Sequence, residues 1–212
     1  MFVSLLYVCA MVRPVSAQDM PKSTLPFELH DWQTTTSPAI KLVDQISAEP
    51  LLQIAENPTI QPVLPVGQPN RLLIPEIGVN AHVEHRGLTP QGAVDVPDVS
   101  YTVSWYDLGP KPGALGSAVI VGHYGIWKNG IHSVFDRLPE LNIGNHIFVQ
   151  DEYGTVRSFR VIAMKIYGKD QQVPEIFNRT DGVYLNIITC HGTWLPAQKT
   201  YSQRLVIFTQ LD

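Results

Sequence analysis

From residue 71 onward the chain alternates short apolar runs with glycine, proline and charged breaks. The runs are RLLIP (71–75), AHVEH (81–85), SAVIVGH (117–123), NHIFVQ (145–150), VRSFRVIAMKIYG (156–168), VYLNIITC (183–190) and RLVIFTQL (204–211). They are rich in β-branched and aromatic residues and bounded by turn formers, so each predicts a strand. Asp151-Glu152-Tyr153-Gly154 sits between two of them and predicts a hairpin turn. Only IHSVFDRL, residues 131–138, predicts a short helix. Serial short strands with turns between them, and no internal repeat, predict a mainly β domain over residues 70–212, a barrel or sandwich.

The preceding texture is different. Prolines at 21, 26, 38, 50, 58, 62, 65 and 69 break residues 18–69 too often for a long helix. The segment predicts a Pro-rich extended stalk or linker with one short helix between Ile40 and Ser47, and with Leu51, Leu52 and Ile54 available to pack on the domain. The first twelve residues are almost wholly apolar, short of the roughly 20 that span a bilayer. With Val15-Ser16-Ala17 behind them, residues 1–17 fit a signal-peptide core and cleavage site. No Lys or Arg precedes Arg13, which leaves a truncated membrane anchor or a buried element as alternatives.

Composition narrows the function. Hydrophobic residues make up 44% of the chain, enough for a real core, and the net charge is −4 with no Lys/Arg run. That excludes a phosphate-binding face and hence nucleic acid as a partner. The two cysteines, Cys9 and Cys190, are far apart, with neither CxxC nor zinc spacing, so no disulfide framework is expected. If the N-terminus is removed, Cys190 is the only thiol left, an unpaired cysteine of the kind that is often reactive.

On a strand, Cys190 shares a face with Tyr184, Asn186 and Ile188, while Leu185, Ile187 and Thr189 take the other. On the last strand Arg204 shares a face with Val206 and Phe208. Were these strands neighbours, Cys190 and Arg204 would meet at one end of the sheet, where a guanidinium stabilises a thiolate or an oxyanion. The residues alone leave open an inert buried cysteine and a surface arginine. His123 follows an apolar run and a glycine, at a strand end, and beside a cysteine it is a candidate acid or base. Trp105-Tyr106 could wall a peptide groove or pack in the core. His82, Glu84 and His85 carry ligand-type groups, but on a strand His85 points away from the other two, so a solvated strand is expected.

Four stretches, in order, resemble the sortase family of cysteine transpeptidases. RLLIPEIGVNAHVEHRG is similar to its opening strand pair. SWYDLGPKPGALGSAVIVGH is similar to the approach to its catalytic histidine. NIITC is similar to its TLxTC motif, with Asn186 and Ile187 in place of Thr-Leu, and SQRLVIF to the strand bearing its arginine. The pattern looks most like classes E and F, less like class D. The resemblance implies a closed eight-stranded β-barrel with short helices. It implies Cys190 as the nucleophile that attacks the carbonyl of a substrate threonine to form a thioacyl enzyme, His123 as the acid that protonates the leaving amine, and Arg204 steadying the oxyanion or the peptide. Thr189 would help shape the site; on the residues themselves, Trp105 and Tyr106 as groove walls and His191 on the rim are the expected substrate contacts. The acidic loop clusters that form the calcium site of class A members have no counterpart in this sequence, so no metal and no cofactor are expected. The partners would be the LPxTG-like sorting signal of secreted proteins and, as acceptor, a peptidoglycan-precursor or pilin amine or water. The protein would be a monomer at the extracellular face of the plasma membrane, with membrane anchoring through the N-terminus.

Two departures stand out. No acidic residue follows closely in His123-Tyr124-Gly125-Ile126-Trp127, and His191 directly follows the cysteine. Because successive strand residues face opposite ways, His191 should project away from the thiol side, which favours His123 as acid/base and leaves His191 on the rim. Gly192 would make a turn that brings His191 back easy. The other readings are an L,D-transpeptidase-like wall acyltransferase and a non-catalytic barrel that binds wall peptides.

Overall fold

The computed structural model describes residues 65–127 and 130–212. The expectations for residues 1–17 and for most of the stalk, including the helix between Ile40 and Ser47, lie outside the described residues.

The apolar runs form strands β1 (Pro69–Ile74), β2 (Val79–Arg86), β4 (Gly116–Gly122), β5 (His146–Asp151), β6 (Val156–Gly168), β7 (Val183–Leu195) and β8 (Thr200–Leu211). A further strand, β3 (Val103–Tyr106), lies in the stretch left unassigned above. It spans only four residues and all four are buried, so it shows no alternation to read. The strands close into a barrel in the order β1-β2-β3-β4-β7-β8-β6-β5. The β2–β3 and β4–β7 pairs are parallel. The hairpin between β5 and β6 turns at Gly154, whose φ of 83° suits glycine.

Two layers of apolar side chains cover the sheet. Ala118, Ile120, Leu185, Ile187, Leu205 and Ile207 point inward with Leu72, Phe135 and Phe159 and fill the barrel. Val119, Val121, Ile188, Val206 and Phe208 point outward and are covered by Val94, Val173 and Ile176. Strand alternation thus sends one set to the barrel interior and the other to a second, outer core.

Residues 131–138 do not form the expected helix. A turn leads into a 3-10 segment, Leu138–Glu140. The donors that a helix would use go elsewhere: Val134 N–H donates to the Ser100 carbonyl at 2.7 Å and Phe135 N–H to the His123 carbonyl at 3.0 Å. Pro139 then has no N–H to offer. The 3-10 turns Pro75–Ile77 and Pro174–Ile176 begin on proline, whereas in Leu138–Glu140 the proline stands second.

Candidate active site

The site forms where β4, β7 and β8 lie side by side. In the antiparallel β7–β8 pair Cys190 stands directly opposite Arg204. In the parallel β4–β7 pair Gly122 stands opposite Thr189, so His123 comes level with Cys190 one strand away, a spacing of roughly 5 Å between strands. Side-chain parity completes the arrangement. His123 continues the outward series of Val119 and Val121, Cys190 that of Ile188, and Arg204 that of Val206 and Phe208. Three residues far apart in sequence therefore share one face at one end of three adjacent strands.

All three are withdrawn from water: His123 is 4% exposed, Cys190 3% and Arg204 2%. This overturns the surface-arginine alternative. The Arg204 guanidinium donates through Nη1 to the carbonyls of Tyr201 (3.0 Å) and Gln203 (2.7 Å) and through Nη2 to Thr200 Oγ1 (3.0 Å). Its Nε is buried and has no hydrogen-bond partner. Burial brings its pKa down to about 10, against the pull of Asp170, so it remains a cation at neutral pH. His123 has its Nε2 2.7 Å from the Pro97 carbonyl, and its ring meets Trp127 edge-on at 4.8 Å. Burial lowers its pKa; the Pro97 carbonyl and Asp98 pull the other way and Arg86 adds to the lowering.

Thr189 is buried on the inner face and donates to the Gly122 carbonyl at 2.9 Å, bracing the residue before His123. His191 lies on that opposite parity as well, facing Tyr124 with ring centroids 5.8 Å apart, and its Nδ1 is buried without a hydrogen-bond partner. Tyr124 in turn packs on Tyr201, and Tyr201 on Trp194, forming an aromatic rim beyond the cysteine. Trp105 and Tyr106 are not part of it. Trp105 is 3% exposed in the barrel core and donates to the Pro110 carbonyl, and Tyr106 packs in the outer core on Phe177. Both therefore lack the surface that a substrate contact needs.

Sequence reasoning missed Arg86, Pro97, Asp98 and Asp136. Asp136 accepts the Gly125 N–H at 3.0 Å and pairs with His132, holding the loop after His123. Their link to the site is not legible in the sequence, because the contacts that tie Pro97 to His123 and Asp136 to Gly125 cross 26 and 11 residues of chain. Glu84, weighed above as a metal ligand, instead binds Arg86 and Thr102. Among the described residues no group of His, Cys, Asp and Glu is arranged to hold a metal ion.

A family model described as the sortase domain matches residues 72–212. Sortase C-1 of Actinomyces oris is similar in structure, with a TM-score of 0.53 and 19% identity over 67% of this chain and 72% of that one. Streptococcus agalactiae sortase C1 in complex with MTSET gives 0.53 and 16% over 68% and 69%. A Clostridium perfringens sortase D5 transpeptidase gives 0.51 and 17% over 68% and 79%. A sequence search of curated proteins finds no match.

Proposed function

The chain belongs to the sortase family of cysteine transpeptidases, and we propose that it cleaves an LPxTG-like sorting signal of secreted proteins and transfers the protein to an amine. The observation that carries this reading is the meeting of Cys190, Arg204 and His123 on one face of β4, β7 and β8. Cys190 reacts as the reduced thiol. Its thiolate attacks the threonine carbonyl, forming a C–S bond, and the oxyanion is held by the Arg204 guanidinium. As the C–N bond breaks, His123 gives its proton to the leaving amine. An acceptor amine, from a peptidoglycan precursor or a pilin, then attacks the thioester. A C–N bond forms, the C–S bond breaks, and the amine's proton passes to His123; water in place of the amine gives hydrolysis. The work is done at the extracellular face of the plasma membrane, by a monomer tethered through its N-terminal segment.

The test is intact mass of the reduced protein after exposure to a panel of sorting-motif peptides, with Cys190→Ala as control. A thioacyl adduct on the wild type alone is expected. Acylation by a carbapenem but by no peptide would replace this reading with an L,D-transpeptidase-like one. A reduced Cys190 inert to both, and to thiol reagents, would leave a non-catalytic peptide-binding barrel.

A further inference from the structure

Arg86, at the end of β2, gathers three carboxylates from different parts of the chain. Its Nε and Nη2 donate to Glu84 at 2.9 and 2.7 Å, Nη1 to Asp95 at 3.3 Å and Nη2 to Asp98 at 2.9 Å. Thr102 Oγ1 donates to the other Glu84 oxygen at 2.7 Å. The 95–98 segment is fixed again through its backbone: Asp95 N–H donates to the Gly87 carbonyl at 3.0 Å and Ser104 Oγ to the Asp95 carbonyl at 2.8 Å. Inside this segment lies Pro97, buried, with its carbonyl 2.7 Å from His123 Nε2. A planar fork that binds carboxylates from two sides is a task that lysine cannot reproduce.

We infer that Arg86 is a positioning residue for His123: by tying Asp95 and Asp98 to β2 it aims the Pro97 carbonyl at Nε2 and so fixes both the orientation and the tautomer of the ring. A carbonyl only accepts, so Nε2 carries the hydrogen, and Nδ1 is the nitrogen that gains and loses the working proton. The charged and titratable groups around the ring are Asp98 from the segment just described, Arg86 from β2, Cys190 from β7 and, beyond it, Arg204 from β8. Asp98 favours the imidazolium and Arg86 disfavours it, while burial lowers the ring's pKa most. The role in turnover rests on the proposed transpeptidase reading; the tautomer does not.

The experiment uses the full reduced chain with 15N-labelled histidine. Long-range 1H–15N spectra should show neutral His123 as the Nε2–H tautomer. Arg86→Lys should lower kcat by about tenfold or more with KM almost unchanged, because a misplaced acid/base group costs chemistry and not binding. Asp98→Asn should move the His123 limb of the pH–kcat profile to lower pH. Its carboxyl side chain is 70% exposed, so this variant decides the matter should Arg86→Lys fail to fold. An Nδ1–H tautomer in the wild type would overturn the inference. So would wild-type kcat in Arg86→Lys, or, where that variant does not fold, an unmoved pH limb in Asp98→Asn. If the wild type forms no thioacyl enzyme, the transpeptidase reading falls, and the tautomer together with the His123 pKa in Asp98→Asn, followed by NMR, still decides the positioning claim.

Discussion

Arg204 heads the largest side chains that are fully buried, and burial alone has brought its pKa to about 10. A charge held this far from water is costly unless its donors are satisfied. Tyr201, Gln203 and Thr200 satisfy the two Nη groups, while Nε is left to spare. Lysine would keep the charge and lose the fork. Arg204→Lys should therefore fold yet lose about 100- to 1,000-fold in kcat, the usual cost of one oxyanion donor; single-turnover thioacylation checks this, and a variant within a few-fold of wild type would remove Arg204 from the chemistry. The two histidines separate by parity in the same way. His123→Ala should lose nearly all turnover, on the order of 100- to 10,000-fold for a general acid–base group. His191→Ala, which touches Tyr124 on the other side, should change peptide affinity by much less. The reverse pattern would make His191 the partner of Cys190. His123 also ties stability to pH. Its folded pKa is lowered, so below about 6.5 the unfolded chain takes up a proton that the buried ring resists. Native stability is thus fully present above that pH and is lost as pH falls through the folded pKa. The urea midpoint should drop between pH 7.5 and 5.5, and His123→Gln should shrink that drop.

At the scale of elements, the junction of β4 and the loop after it depends on a missing side chain. A Cβ on Gly122 would stand 2.6 Å from two ring carbons of Phe135 and 3.0 Å from Val134. Phe135 is fully buried and its N–H holds the His123 carbonyl, so neither can yield without moving the histidine. Gly122→Ala should cost about 1–3 kcal/mol in overpacking. It should also lower turnover beyond what an equally destabilising core change does; melting temperature and kcat measured on both variants check this. The same contact explains why the run Ile131 to Leu138 looked helical and is not. Its apolar residues are spaced for one face, but its donors are committed to Ser100 and His123 across the barrel. By contrast β6 was readable in full outline, and β7 and β8 in their apolar halves, because long runs of β-branched residues leave few other choices. The extension of β7 to Leu195 past Cys190 was not readable. It needs the φ of 81° at Gly192 and a shift of register between His191 and Trp194, which the pairing with β8 imposes.

For the whole molecule, residues just ahead of the expected boundary are tied to the barrel, and we propose that they belong to the domain. Residue 70 was the expected boundary, yet β1 begins at Pro69, Gly67 N–H reaches the buried Asp151 carboxylate at 3.3 Å, and Lys111 binds the Val66 carbonyl at 3.1 Å. Burial pushes the Asp151 carboxyl up, but hydrogen bonds from the Arg157 guanidinium and from the N–H groups of Thr155, Gly67 and Tyr153 outweigh it and hold the group below the usual carboxylate range. A chain of residues 65–212 should fold and act alone, and one of residues 70–212 should be less stable by about 2 kcal/mol or more, since the bonds of Val66, Gly67, Gln68 and Pro69 go together; their melting temperatures and turnover check both statements, and equal stability would restore the later boundary. The sequence by itself determined the strand class, the turn between β5 and β6, and which residues share a face within each strand, because side-chain alternation is a local property of extended chains. Through its motifs it also placed Cys190, His123 and Arg204 as candidates. The tertiary structure alone decided that β4 lies between β3 and β7, that the outward face of these strands is a second core, and that Trp105 and Tyr106 are buried while Arg86 reaches toward His123 through Pro97. Such facts depend on which strands become neighbours when the barrel closes, and that choice is made by the packing of the whole chain at once, not by any stretch of it.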